Sequence, residues 1–185
     1  DWKGLVERFG GEDLDKWPFW QRGAGAFARA RAHVLVKDGG KAEADLQTAL
    51  AFTADAHSRT SILATMGSNR EMHLKDDAAA LEAYRQNLQG KTVIGAADEF
   101  RSAQNAARIL TRQGKFDEAL ATLKLALVEK QKGFWRHSTL LVKGDTLTAA
   151  GREEEALKAY RDVVNDGSAS AALREAAEER IGKLK

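Results

Sequence analysis

Residues that could do chemistry occur in this sequence, but their spacing assembles no reaction centre. The histidines are His33, His57, His73 and His137. None of them forms a His-x-x-x-His pair or a His-Glu-x-x-His motif, so the helix-face geometry of a zinc site is missing. The chain has no cysteine, which removes thiol catalysis and thiolate ligands. No serine, lysine or histidine grouping has the pattern of an activated nucleophile, so we expect no enzyme activity, no metal and no cofactor.

Two glycine-containing segments match phosphate-binding motifs only in part. Gly90-Lys91-Thr92 has the end of a P-loop, but Arg85 stands where the first glycine of that motif belongs. Gly23-x-Gly25-x-x-Ala28 lacks the strand that precedes a dinucleotide-binding turn. Carboxylates cluster at predicted helix starts, as in Glu153-Glu154-Glu155, where the positive end of the helix dipole favours them. These features indicate structural roles.

The composition predicts an all-α domain. Of the 185 residues 43% are hydrophobic and 30% charged, and there is one proline. No apolar run approaches the roughly 20 residues needed to span a bilayer, and a net charge of +2 does not indicate a nucleic-acid partner. The absence of cysteine is compatible with a cytoplasmic and with an exported or periplasmic protein. The chain begins at Asp1, which leaves a processed protein or a piece of a longer polypeptide open.

An internal repeat organises the chain. Ala-Leu pairs begin at 80, 119 and 156, spacings of 39 and 37, each after a turn-forming or acidic stretch. A fainter copy, Gly40 to Leu46, places Asp45 where the alanine is expected. Apolar residues recur at three- and four-residue steps on both sides of each copy, which predicts antiparallel helix pairs. The predicted pairs are 21–38 with 42–54, 56–74 with 76–89, 95–113 with 116–131 and 135–150 with 152–165, followed by a capping helix at 170–184.

At these residues the chain resembles the tetratricopeptide repeat (TPR) family. The best-matching unit carries Leu140, Gly144, Leu147, Gly151, Ala156 and Tyr160. In the second unit, Ser68 and Glu71 stand where the pattern has glycine and an aromatic residue. The resemblance implies an α-solenoid of about four TPR-like hairpins over residues 21–185, with a concave face lined by the first helix of each pair. Residues 1–20 would form an N-terminal aromatic-rich cap or linker.

The stretch from Phe19 to Phe27 is also similar to helical TPR-like segments attached to large exported bacterial hydrolases such as sulfatases. That similarity implies an accessory domain within a longer polypeptide.

Two groups of residues are candidates for binding a partner. In the TPR register, the first helices direct a set of amides, imidazoles and guanidinium groups into the groove, with Asp145 as an acidic exception. This set is Arg29, His33, Asn69, Arg101, Gln104, Asn105 and Arg108. Such groups suit carboxylate, sulfate or acidic peptide ligands, although long polar side chains also occur on faces that are only solvated.

The second group is aromatic and lies near the start of the chain: Trp2, Trp17, Phe19 and Trp20. These rings either cap the open end of the repeat array or form a docking surface for a partner.

The leading hypothesis for function is a non-catalytic protein–protein interaction or scaffolding module. Its partner would be a protein or peptide, acidic if the groove binds it, or another domain of the same polypeptide. The alternatives are an accessory domain of a larger hydrolase and an anion- or glycan-binding solenoid.

Overall fold

The computed structural model describes Gly4, Asp13 and residues 16–91, 94–127 and 133–184, and this part of the chain contains nine α-helices and no strand. The predicted all-α, helical-repeat fold is confirmed. In chain order the helices are α1 (Phe19–Leu35), α2 (Gly39–Ala51), α3 (Ala56–Met72), α4 (Asp77–Leu88), α5 (Ala97–Arg112), α6 (Phe116–Lys124), α7 (Phe134–Ala149), α8 (Glu153–Val164) and α9 (Ala171–Lys183).

The chain divides into two compact units, Asp1–Asn87 and Leu88–Lys185. Unit 1 contains the hairpins α1–α2 and α3–α4. Unit 2 contains the hairpins α5–α6 and α7–α8, with α9 packed against α8. The separate assignment of residues 1–20 and 21–185 stays a prediction, and α1 begins inside the first of these segments, at Phe19.

Several helices begin at a side chain that accepts a hydrogen bond from the exposed backbone of the first turn. The Asp38 carboxylate accepts from the Lys41 N–H at the start of α2, and the Asp55 carboxylate accepts from the Ser58 N–H at the start of α3. These backbone donors hold the pKa of each aspartate below its ordinary value, because they favour the charged form. These two aspartates therefore help to fix where α2 and α3 start.

The hairpin turns show the true register of the repeat. In each turn one residue has a positive φ, at Lys37, Lys75, Gly114 and Gly151. A fully buried alanine follows each of these residues five positions later, and these alanines are Ala42, Ala80, Ala119 and Ala156. The prediction that Asp45 replaces this alanine in the first hairpin is wrong, since Ala42 fills the position. The error arose because glycine was expected in the turn, whereas a lysine occupies it.

Glycine on a first helix makes room for a tyrosine ring on the second. A Cβ atom on Gly67 would overlap the ring of Tyr84, and one on Gly144 would overlap the ring of Tyr160. The second hairpin thus has the expected glycine one position before Ser68. The Ser68 hydroxyl lies 3.3 Å from the Tyr84 hydroxyl, and Glu71 accepts from that hydroxyl at 3.2 Å. The residues that departed from the family pattern are therefore the partners of the tyrosine.

Candidate functional site

Arg29 and His33, predicted to face a ligand groove, lie between α1 and α2. The Arg29 guanidinium donates to both carboxylate oxygens of Asp45, at 2.8 and 2.6 Å. The imidazole Nε2 of His33 lies 3.7 Å from the same carboxylate. The side chains of Arg29 and Asp45 are 16% and 7% exposed. This placement corrects the predicted orientation, and the three residues form a buried polar cluster that joins the two helices of hairpin 1.

Asn69 is fully buried and joins α3 to the start of α2. Its Nδ2 donates to the carbonyl oxygen of Gly39 at 3.0 Å. The neighbouring Arg70 donates to the Glu43 carboxylate at 2.6 and 3.0 Å, which ties the same two helices together. The predicted orientation of Asn69 towards a groove is therefore corrected too.

Gln104 of α5 is also buried. Its Nε2 donates to the hydroxyl oxygens of Ser138 and Thr139, each at 2.9 Å. These bonds tie α5 to α7, the first helices of the two hairpins in unit 2. Gln104 thus holds the two helices in register.

Three of the predicted residues share the outer face of α5. The guanidinium of Arg101 is well exposed and donates to Asp98 one turn back. The guanidinium of Arg108 is exposed and donates to the side-chain oxygen of Asn105 at 2.8 Å. We call Arg101, Asn105 and Arg108 the α5 ridge. The opposite face of the helix is buried through Phe100, Ala103, Ala107 and Leu110.

The predicted docking aromatics separate into buried and exposed rings. Trp2 lies outside the described residues. Trp17 is partly buried against the core of unit 1, close to the backbone of Gly25. The side chains of Phe19 and Trp20 are 68% and 78% exposed. An exposed tryptophan of this kind is unusual, because burying an indole is among the most favourable contacts a side chain makes.

Trp20 lies at one side of a cleft of about 500 Å³, which we call the unit 1 cleft. Its lining from α1 includes Trp20, Ala24, Phe27, Ala28 and Arg31, and its lining from α3 includes Ser58 and Ile62. Of the cleft residues on α1, Trp20 was predicted as a docking aromatic, whereas Ala24, Ala28 and Arg31 were not predicted. The signal that could have found them is the four-residue step from Trp20 through Ala24 to Ala28.

Asp145, the predicted acidic exception, is an anchor for α9. Arg180 of α9 donates to its carboxylate at 2.6 and 3.3 Å, and the Tyr160 hydroxyl donates to it at 2.9 Å. Burial raises the pKa of Tyr160 to about 12, and the adjacent Asp145 carboxylate adds to the rise. The hydrogen bond to Asp145 raises the pKa of Arg180 as well. Tyr160 therefore stays a neutral phenol and Arg180 a cation at neutral pH.

One group of polar side chains near α9 has the residue types of a hydrolase triad but a different geometry. The buried His137 has its Nε2 2.9 Å from the Asp166 carboxylate, and the Ser168 hydroxyl donates to the other oxygen of Asp166 at 2.7 Å. These two hydrogen bonds, that of His137 first, lower the pKa of Asp166. The serine contacts the carboxylate and not the imidazole, so no base activates its hydroxyl. No group of three or more His, Cys, Asp or Glu residues that could hold a metal lies within the described part of the chain.

The two units define a class of protein built from repeated antiparallel helix hairpins. The sequence profile of the tetratricopeptide repeat-like domain matches residues 73–185, more than half of the chain, and the chain belongs to that family. Families of this kind bind other proteins and are generally non-catalytic. No curated protein matches the chain. None of the described helices has both the length and the apolar character needed to cross a membrane.

Proposed function

We propose that this chain is a non-catalytic protein-interaction module and that its α5 ridge binds an acidic segment of a partner protein. The observation that carries the proposal is the exposure of Arg101 and Arg108 on one face of a helix whose other face completes the core. The two residues lie two helical turns apart with Asn105 between them, so they form a line of donors along the helix.

The contacts within the ridge leave donors for a ligand. A guanidinium carries five N–H donors. Arg101 uses one of its terminal nitrogens in the hydrogen bond to Asp98, and Arg108 uses one of its own in the hydrogen bond to Asn105. Arg101 and Arg108 are both exposed, so a carboxylate can reach their remaining N–H groups and accept a pair of them.

The competing explanation is a solvated face. Exposed ion pairs contribute little to stability, about 0–1 kcal/mol, so Arg101 and Arg108 do not serve the fold in an essential way. If the ridge binds a partner, a charge-assisted contact contributes roughly 1.5–3 kcal/mol, which is tenfold or more in affinity. The two explanations therefore differ in the effect of one substitution on binding.

The test is calorimetry of the full chain with a blocked peptide of alternating glutamate and alanine, and with the same peptide carrying glutamine in place of glutamate. We expect binding of the acidic peptide alone, weakened about tenfold by Arg108→Ala and further at higher salt. Arg174→Ala, an exposed arginine on α9, is the matched control. Equal affinity of the wild type and Arg108→Ala would contradict the proposal, and binding of inorganic sulfate in place of the peptide would favour the anion-binding alternative.

A second candidate function is that of an accessory domain of a larger polypeptide, such as an exported hydrolase. The exposure of Phe19 and Trp20 favours it, since these rings suit a surface that another domain covers. Reading the coding sequence upstream of Asp1 and downstream of Lys185 tests it directly. A catalytic domain encoded on either side would support this candidate, and a reading frame that encodes no further domain would exclude it.

A further inference from the structure

We infer that a cleft between α6, α7 and the start of α8 binds a small molecule, an aliphatic carboxylate of medium chain length. We call it the unit 2 cleft. Its lining includes three leucines and three cations, which are Leu120, Leu127, Leu147, Lys124, Lys143 and Arg152. The aliphatic chain lies on the leucines, and the carboxylate lies between the two lysines. The site shares no residue with the α5 ridge and does not depend on the proposed function.

The apolar part of the unit 2 cleft is continuous with the core of its unit. Leu147 is 1% exposed, and the half-buried Leu120 and Leu127 pack against the core cluster to which Leu147 belongs. The volume of the cleft is about 320 Å³, which is at the small end of the range of ligand sites. An aliphatic chain that covers these leucines removes apolar surface from water, which favours its binding.

The one carboxylate in the lining, that of Glu155, already has a partner. It accepts hydrogen bonds from two nitrogens of the Arg152 guanidinium, at 2.7 and 2.8 Å. These bonds lower the pKa of Glu155, so the carboxylate stays ionised and the pair has no net charge. Arg152 also lies 3.8 Å from Asp117, which is fully exposed and outside the lining.

Lys124 and Lys143 are the lysines of the lining, and neither has an ion pair or a side-chain hydrogen bond among the described residues. Lys143 is half-buried and helps to lower the pKa of Glu155, so its ammonium group acts on the charges of the cleft from beyond ion-pair distance. With Glu155 counted, the lining has three cations and one carboxylate, and the excess stays positive when Asp117 is counted too. The cleft therefore favours an anion and disfavours a cation.

The leucines and the lysines together define the class of ligand. A short anion such as acetate gains only exposed charge contacts, which contribute little in water. A neutral chain gains the apolar contact but leaves the excess positive charge without a partner. A carboxylate with a chain gains both, and its chain displaces water from the cleft, which strengthens the attraction between the carboxylate and the ammonium groups.

The test is a titration of the full chain with octanoate, followed by ¹H–¹⁵N NMR. We expect saturable shifts at the backbone amides of Leu120, Leu127 and Lys143. Octanol has the chain without the charge, and acetate has the charge without the chain. We expect each to bind roughly tenfold more weakly than octanoate, or less tightly still, and we expect added salt to weaken octanoate binding.

Charge-reversing variants locate the carboxylate. We expect Lys143→Glu to weaken octanoate binding roughly tenfold or more, and Lys143→Gln to weaken it in the same direction if the first variant does not fold. In the double variant Lys124→Glu/Lys143→Glu the preference is expected to reverse, so that octylammonium binds more tightly than octanoate. Lys158→Glu is the matched control, because Lys158 is exposed on α8 and lies outside the lining.

The control Lys158→Glu and the α5 ridge variant Arg108→Ala are both expected to bind octanoate as the wild type does. Loss of octanoate binding in Arg108→Ala would overturn the inference, because it would place the ligand on the α5 ridge. Equal binding of octanol and octanoate would overturn it as well, and so would equal affinity of the Lys143 and Lys158 variants. Shifts confined to amides outside the unit 2 cleft would have the same consequence.

Discussion

The first helices of the two units have the same register but present different chemistry. The last residues of α1 and α5, at 35 and 112, differ by 77 positions, and those of α3 and α7, at 72 and 149, also differ by 77. At corresponding positions α1 carries Ala24, Phe27, Ala28 and Arg31, and α5 carries Arg101, Gln104, Asn105 and Arg108. The backbone of the repeat is therefore kept while three of these four side chains change from apolar to polar. An arginine at the end of the line is common to both.

The comparison teaches that the repeat constrains buried residues more than those of its outward faces. The alanine that follows each turn is fully buried in all four hairpins. The exposed side chains of α1 and α5 meet no such constraint, so they can differ between the units without a cost in packing.

The interiors of the units differ at one further place, the polar cluster of Arg29, His33 and Asp45. The corresponding positions of unit 2 carry Ala106, Leu110 and Thr122. Unit 1 thus buries a charged pair where unit 2 buries mostly apolar groups. Removing one partner of a buried ion pair strongly destabilises the folded protein, whereas replacing the whole pair by apolar residues is often neutral for its stability.

The largest effect is therefore expected from Arg29→Ala. It leaves the Asp45 carboxylate buried beside His33 without its guanidinium, and we expect a loss of about 3–5 kcal/mol in the free energy of unfolding. Urea denaturation followed by tryptophan fluorescence measures it. The triple variant Arg29→Ala/His33→Leu/Asp45→Thr, which copies unit 2, is expected to recover most of the loss. A loss below about 1 kcal/mol in Arg29→Ala would show that the contact of Arg29 with Asp45 contributes little to the stability of the fold.

The second effect concerns the contact of a first helix with the second helix of its hairpin. Hairpins 2 and 4 place Gly67 and Gly144 against tyrosine rings, whereas hairpins 1 and 3 have alanine and leucine at the corresponding positions. We expect Gly144→Ala to cost about 1–3 kcal/mol, because its Cβ overlaps the ring of Tyr160. The same urea titration measures it.

A double-mutant cycle sharpens this prediction. Tyr160→Leu alone should destabilise the chain, since it opens a cavity and removes the hydrogen bond to Asp145. In the double variant Gly144→Ala/Tyr160→Leu the two positions carry the alanine and leucine of hairpins 1 and 3. We therefore expect its loss of stability to be smaller than the sum of the two single losses by about 1 kcal/mol or more. Additive costs would mean that the two positions do not share a contact.

Much of the fold was predictable from the sequence because the same buried residues recur from one hairpin to the next. The Ala-Leu register identified three of the four hairpins, and glycines at 114 and 151 marked two turns correctly. The first hairpin was misaligned because Lys37 adopts a backbone conformation that sequence patterns assign to glycine. The expected groove position of Arg29 and His33 also differs from the structure, in which both side chains lie against Asp45 of α2.

The candidate sites were predictable only in part. On α5, Arg101 and Arg108 are exposed and Asn105 is half-buried, and their role in binding stays a prediction. Gln104 lies on the edge of that face, and only the positions of Ser138 and Thr139 show that it is engaged. The unit 1 cleft depends on Ala24 and Ala28, because their small side chains leave it open. Such open space becomes visible only in the three-dimensional structure.

The smallest effect is expected from exchanging the turn residues of the two units. Gly114 and Gly151 adopt φ values of 73° and 72°, and no atom lies near the position of an added Cβ, so substitution there tests backbone strain alone. We expect Gly114→Ala and Gly151→Ala each to cost about 1 kcal/mol, since an L-residue is strained in this region.

Lys37 and Lys75 already bear that strain at φ values of 62° and 57°. Their replacement by glycine relieves it but frees the unfolded chain, so a net gain of only about 0.5 kcal/mol is expected for each. Urea midpoints of the four variants provide the measurement. A loss of stability in Lys37→Gly and Lys75→Gly would show that the lysine side chains make stabilising contacts that outweigh the strain of their backbone.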